Sequence, residues 1–336
     1  MANPVLEELA AGFDGKRCLV TGGLGFIGSN LALALAGGGA KVQVVDSLEP
    51  RHGGDIRNVE GAEIDVTVSD IGEAAGVSET LRGADYIFNL AGQVSHIDSM
   101  EAPLRDLDLN ARSQLAFLEL VRKTNPEAPI VFGSTRQVYG RPNSLPVDES
   151  HPVQPVDVNG VSKFAAERFH QLYADVYGIP LTVLRLSNVY GPRQRLQGDH
   201  IGFLPVFLRR ALNGEPITVF GDGSQCRDCL YVDDALAAVL AAALAFPALG
   251  EIFNIGHDRQ YTLLEIAEAT VEAAGGGEVL TAPWPPERKR IAIESYLTNP
   301  AKAADLLGWR PTTSLEDGLS ATVSFYRSRF AWAQPS

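Results

Sequence analysis

Cysteine is scarce in this chain: three in 336 residues, an odd number that builds no disulfide framework and fits a reducing compartment. Basic residues are in deficit. Lys and Arg total 28 against 41 Asp and Glu, a formal net charge of −13, and such a surface repels phosphate backbones, so nucleic acid is not an expected partner. Long apolar runs are missing as well. The longest, Ala235 to Phe246, has about half the length a membrane span needs and stops before Pro247, so no membrane association is expected. The opening stretch MANPVLEELAAGFDGKR carries Glu7 and Glu8 where a secretory leader has basic residues, and it lacks a long apolar segment. It reads as a short surface helix, and a cytoplasmic location is expected.

The apolar fraction, 45% of 336 residues, suffices for a large core, and the length suits one large domain with an appended lobe. From Arg17 to Leu186, β-rich runs (RCLVTG, KVQVVD, AEIDV, DYIFNL, PIVFGS, LTVLRLS) alternate with helical stretches that begin near Phe26, Ser69, Pro103 and Val158. That alternation predicts an α/β fold, a doubly wound parallel sheet of the Rossmann kind with helices on both faces. After Ser187 the pattern breaks into shorter elements rich in Gly and Pro. We therefore expect residues 12–187 with 234–257 to form a dinucleotide-binding domain, and 188–233 with 258–330 a smaller C-terminal lobe that binds substrate. The helices near Pro103 and Val158 carry apolar residues on more than one face, including Leu120 on the first and Leu172 and Val176 on the second. One face covers the sheet, so another is expected to meet a partner.

The first strand runs into TGGLGFIGSN, where Gly22, Gly25 and Gly28 sit three apart and Gly23, Gly25 and Gly28 spell GxGxxG. Glycines there permit a tight turn, let backbone amides approach a pyrophosphate, and let the following helix, opened by Phe26 and Ile27, aim its N-terminus at the anion. Asp46 ends the second strand about 20 residues on. A carboxylate in that place accepts both hydroxyls of an adenosine ribose and repels a 2′-phosphate, which favours NAD, although Arg51 follows closely and keeps NADP open. Asp65, with Val66 beside it, is expected after the third strand, where it can meet an adenine amino group or simply form a turn. Cys226 and Cys229 make a C-x-x-C, but only Cys18 is left over and no His lies near in sequence, so they read as packing residues and no metal is expected.

Several further motifs follow in order: NLAGQV (with Leu90, Ala91 and Gly92), GSTRQVYG, NGVSK, RLSNVYGPRQ, VFGDGSQCRDCLYVDD and LLGWRP. Together with TGGLGFIGS they resemble the extended short-chain dehydrogenase/reductase family, in its nucleotide-sugar epimerase, dehydratase and decarboxylase branch, over nearly the whole chain. The resemblance implies NAD as cofactor, a nucleotide-diphosphate sugar as substrate, and a homodimer built through a four-helix bundle. In that family a Ser or Thr, a Tyr and a Lys work together. The Tyr takes a proton from a sugar hydroxyl while the carbon gives hydride to the nicotinamide, the Lys holds the nicotinamide ribose and lowers the Tyr pKa, and the hydroxyl residue orients the sugar. By resemblance Thr135 is the orienting hydroxyl and Lys163 the lysine. The tyrosine position falls on Asn159, which cannot ionise. Asn159 is then an introduced inactivating change, the mark of a natural enzyme with another base, or the mark of a protein that kept binding and lost catalysis.

His96 and Asp98, in QVSHIDSM after the fourth strand, lie on the loop that faces the sugar in relatives; they are candidates for proton transfer, or ordinary polar loop residues. Tyr139 resembles a structural tyrosine. Sugar 4,6-dehydratases of this family carry an Asp-Glu pair directly after the Thr, whereas Arg136 and Gln137 stand here, which disfavours 4,6-elimination. Epimerisation by reversible oxidation fits better. Decarboxylation stays open, with Arg136 as a contact for a sugar carboxylate. On the substrate side Asn188 resembles the asparagine that holds the sugar diphosphate, Arg227 the arginine that pairs with it, and Arg288 a second arginine, with Val219 and Phe220 flanking the base.

Overall fold

A computed structural model of the chain describes residues 3–49, 52–198, 201–245, 249–285, 293 and 295–329. The six expected strands all form, as β1 (Arg17–Thr21), β2 (Lys41–Asp46), β3 (Ile64–Val68), β4 (Tyr86–Asn89), β5 (Ile130–Thr135) and β6 (Leu181–Leu186). Four shorter strands follow, β7 (Asn188–Tyr190), β8 (Ile217–Phe220), β9 (Cys226–Arg227) and β10 (Cys229–Tyr231), before β11 (Ile252–Ile255) returns to the main sheet. That sheet has seven strands in the order β11-β6-β5-β4-β1-β2-β3, every neighbouring pair parallel. Every residue of β6, and of β1 after Arg17, is buried, which is why these strands read as continuous runs and not as alternating ones. The strand order reverses between β1 and β4, and the crevice outside the carboxyl ends of those strands is where doubly wound sheets bind ligands.

Beyond the sheet, β7 pairs with β10, β8 with β13 (Val279–Ala282) and β9 with β12 (Tyr261–Thr262), three small two-stranded sheets that carry the later motifs. The expected N-terminal helix is α1 (Pro4–Ala11), capped by Asn3, though Leu6 and Ala10 are buried rather than spread over a surface. α2 (Phe26–Gly37) follows β1. α3 (Ala74–Gly83) begins five residues later than Ser69, because the Asp70 carboxylate accepts from Gly72 N and its carbonyl from Glu73 N, holding that stretch in a turn. Between β4 and β5 run α4 (His96–Glu101), α5 (Pro103–Leu107), one π turn (Asp108–Arg112) and α6 (Ser113–Thr124). The long apolar run becomes a core helix, α9 (Val232–Leu244), after α8 (Phe203–Leu212), with Ala235 to Ala242 all buried. No helix among the described residues is long and apolar enough to cross a membrane.

α7 (Val158–Tyr177) positions the site. Asp157 caps it by accepting from Gly160 N at 2.7 Å, and Gly178 ends it in the left-handed region. Asn159, Lys163 and Glu167 are spaced four apart and His170 three further, so all four fall on one face, and all four are buried. Glu167 accepts from Ser134 Oγ of β5 (2.9 Å) and from Arg185 of β6, through Nε at 3.0 Å and again through Nη2. His170 donates from Nδ1 to the Ala166 carbonyl (2.9 Å), accepts at Nε2 from Asn89 Nδ2 of β4 (3.1 Å), and stacks on Phe132 at 3.9 Å. Burial lowers its pKa to about 4, so the ring stays neutral.

Candidate active site

β1 ends where Gly22 turns the chain at φ 66°, donating to the Val45 carbonyl and accepting from Gly25 N. Phe26 and Ile27 open α2. Its N-cap, Gly25, has no side chain to cover the first-turn amides, so those donors and the helix dipole are available to an anion. Gly28 packs the helix onto the turn so closely that a Cβ there would stand 2.2 Å from the Gly22 oxygen. Asp46, buried at the end of β2, accepts from Leu24 N (3.0 Å) and Leu48 N (2.9 Å), one on each oxygen, and each oxygen keeps an acceptor direction for a ribose hydroxyl. Leu90, Ala91 and Gly92 leave β4 beside this turn. The Ala91 backbone lies against Gly22, and a Cβ on Gly92 would stand 2.4 Å from Lys163 Nζ. One continuous backbone cradle thus runs from α2 to Lys163, and its lack of side-chain bulk fits a dinucleotide.

Asp65 and Val66 lie elsewhere. They sit inside β3, opposite Gln43 and Val44, two or three residues below the edge marked by the Asp46–Val68 pair. The β-branched Thr67 and Val68 prolong the strand past the expected end, and the turn beyond it holds Asp70 and Ile71 instead. Arg51 and Arg288 lie outside the described residues.

Thr135 closes β5, its Oγ1 accepting from Gln137 N (3.2 Å) at the start of a single 3-10 turn (Arg136–Tyr139). Tyr139 is fully buried, donating to Asn254 Oδ1 and accepting from Arg185 Nη1, both at 2.7 Å; burial raises its pKa, so it is a fixed structural group. Lys163 is buried too. Desolvation lowers its ammonium to about 8, against an opposing pull from Asp106. Sequence reasoning did not single out this aspartate. It is buried on α5, just before the π turn, and its Oδ2 accepts from Gln93 Nε2 (2.6 Å), Asn110 Nδ2 (3.0 Å) and Asn159 Nδ2 (3.0 Å). Asn159 Nδ2 donates also to the Gln93 carbonyl at 3.0 Å, so its amide is locked in one orientation.

His96 and Asp98 are on a helix and not a loop: they belong to the first turn of α4, where Ser95 Oγ accepts from Asp98 N. His96 Nδ1 bonds the Asp157 carboxylate, another residue the sequence reading passed over, although D-x-x-G ahead of an apolar run is a recognisable cap. Burial pushes the Asp157 carboxyl up, but His96, the Gly160 amide and Arg136 outweigh it and hold the group below the usual carboxylate value.

On the substrate side Arg136 Nη2 donates to Asn188 Oδ1 (3.2 Å) and its guanidinium lies over the Tyr296 ring at 4.8 Å, while Nη1 is buried with no partner. Asn188 in turn donates to Asp228 Oδ1 (3.0 Å) and to its carbonyl (3.1 Å). Arg227 donates to the carbonyls of Cys226 (2.7 Å) and Ile293 (2.6 Å); burial, then the charge of Arg136, lowers its pKa to about 10. Two buried guanidiniums close enough to repel favour an anion between or beside them. Val219 is buried on β8 and Phe220 half-buried, its ring 5.7 Å from Trp284. Cys226 Sγ donates to the Ser224 carbonyl, and Cys229 is buried, its thiol pushed up by desolvation.

The glycine turn, the buried Lys163 and the guanidiniums of Arg136 and Arg227 are carried on a doubly wound sheet, and comparison with known proteins gives the family. Residues 18–256 match the NAD dependent epimerase/dehydratase family. Over 313 residues the chain is 32% identical to a putative UDP-glucose 4-epimerase of Methanocaldococcus jannaschii, covering 92% of this chain and 98% of that protein. It is 31% identical over 330 residues to UDP-glucuronic acid decarboxylase 1 of Xenopus tropicalis, covering 94% and 73%. The crystal structure of UDP-glucose 4-epimerase from Thermotoga maritima with UDP-glucose superposes with a TM-score of 0.84 at 33% identity, covering 94% and 99%. The chain belongs to the NAD dependent epimerase/dehydratase family, and NAD is its cofactor.

Proposed function

We propose that the chain is an NAD-dependent nucleotide-sugar epimerase, which oxidises one sugar carbon and reduces it again from the opposite face. The observation that carries this reading is the meeting, at the carboxyl edge of β1, β4 and β5, of the dinucleotide cradle with Thr135 and Lys163, next to the pocket of Arg136, Asn188 and Arg227. Bound NAD supplies a hydride acceptor and, reduced, returns the hydride. The protein's share is positional. Asp46 and the α2 amides hold the adenosine and pyrophosphate, Lys163 the nicotinamide ribose, Thr135 orients a sugar hydroxyl, and Asn188 with the two arginines clamps the diphosphate. Arg136 and Gln137 in place of an acid pair remove the groups that 4,6-elimination needs.

The unpartnered Nη1 of Arg136 favours one alternative, a decarboxylase in which that arginine meets a sugar carboxylate. The two separate in one experiment: incubate the chain with NAD and UDP-glucose, UDP-N-acetylglucosamine or UDP-glucuronate, and follow product mass and CO₂. An isomer of unchanged mass is expected; CO₂ release supports the lyase, and ligand binding without any product supports a non-catalytic sensor.

The same proposal includes the division of labour between residues 12–187 with 234–257, which hold NAD, and 188–233 with 258–330, which hold the nucleotide sugar. It also includes a cytoplasmic location and a homodimer. Leu104, Leu107, Val161, Leu172 and Val176 are exposed on α5 and α7, an apolar face suited to pairing with its own copy. Light scattering at micromolar concentration should give twice the chain mass.

A further inference from the structure

We propose that His96, held by Asp157, takes the proton from the sugar hydroxyl and returns it, the task the family gives to tyrosine. This rests on the epimerase reading above. Among the site groups, Asn159 cannot ionise, and its amide nitrogen is committed to Gln93 and Asp106. Tyr139 is locked between Arg185 and Asn254 under the site. The Lys163 ammonium is enclosed by the Gly92 backbone and lies near Asp106, the placement of a ribose-holding cation. Among the described site residues, His96 combines an ionisable ring with access: its side chain is 33% exposed while that of Asp157 is 2%.

The pair has the geometry of an oriented base. Asp157 Oδ1 is fixed by Gly160 N at the head of α7, two residues before Asn159 and six before Lys163, and Oδ2 receives His96 Nδ1. A carboxylate only accepts, so Nδ1 carries the hydrogen, leaving the Nε2 lone pair as the basic site. His96 itself opens α4 four residues after Gly92, on the segment leaving β4 past Lys163. In the forward half-reaction the hydroxyl O–H bond breaks and an N–H bond forms on Nε2, while the carbon's C–H electron pair leaves as the hydride that NAD accepts. In the return half the carbonyl carbon regains that hydride, and its oxygen regains the proton from Nε2. Protons and electrons balance with no other reactant.

The test compares His96→Ala, His96→Gln and Asp157→Asn with the unaltered chain, each checked for NAD binding and folding; asparagine keeps the helix cap and removes only the charge. Turnover should fall by roughly 10²–10⁴-fold in both His96 variants with little change in KM, free imidazole should restore part of it in His96→Ala, and Asp157→Asn should lower kcat more than it raises KM. A readout independent of turnover is the ¹⁵N spectrum of histidine-labelled protein. The His96 ring should carry its proton on Nδ1, and this signature should disappear in Asp157→Asn. Full activity in His96→Ala, loss without imidazole rescue, or a ring protonated on Nε2 alone overturns the assignment while leaving the epimerase reading standing. An unaltered chain that binds ligands but yields no product overturns both.

Discussion

The two sides of this site are built from different materials. The cofactor side is mostly backbone, glycines, first-turn amides and strand ends, to which Asp46 and Lys163 add charge. The reactive and sugar side is side chains, drawn from α4, α5, α7, the 3-10 turn and the small sheets, and tied into polar networks around Asp106, Asp157 and Asp228. A backbone site tolerates almost no added atom. A side-chain site can exchange one group for another and keep working, as our proposal of His96 in the place of a tyrosine requires.

The largest expected effect lies on the backbone side. Gly28→Ala pushes a methyl onto the Gly22 carbonyl, an overlap that costs roughly 1–3 kcal/mol or more and distorts the cradle. Denatured protein should then release no NAD(H); near-normal cofactor content would mean that the cradle accepts the methyl. Arg227→Ala comes next, on the other side: nucleotide-sugar affinity should drop by roughly 10- to 1000-fold, the value of a charge-assisted contact to a diphosphate, with NAD binding unchanged. Isothermal titration with each ligand decides it, and equal losses would mean that Arg227 supports the fold.

Both sides share the floor that α7 makes with the sheet. His170 has a folded pKa lowered to about 4, against 6.5 for the free residue, so the unfolded chain takes up its proton first as pH falls. Its contribution is complete above pH 6.5 and is lost progressively between there and pH 4, by about 3 kcal/mol. Urea midpoints across that range measure it, and the loss should shrink in His170→Gln. The smallest effect is Asn159→Tyr. On the proposed His96 base, turnover should rise by less than about tenfold; a gain of about 10²–10⁴ would mean that the seat was shaped for a tyrosinate.

The same contrast explains what the sequence could and could not tell. The glycine spacing, the six strands and Asp46 are local patterns, and the fold followed from them. Asp65 failed by a small margin: the reading ended β3 at Val66, and two more β-branched residues moved the strand edge to the turn at Asp70. Asp106 was unreadable because its partners come from positions 93, 110 and 159 and meet only in the folded chain. The His96–Asp157 pair joins residues 61 apart. Each residue type was visible, but the pairing is a property of packing.

A helix lying on a sheet has no intrinsic rotational setting, and one residue of slip turns it by 100°. α7 is bolted at two points one turn apart, Glu167 to β5 and β6 and His170 to β4, so three neighbouring strands jointly set its azimuth. Lys163 sits one turn further up the same face, beneath Gly92. The angle at which its ammonium enters the crevice is therefore dictated from below, by a buried ion pair and a buried imidazole, and a change at either bolt should misaim the lysine before it unfolds the protein.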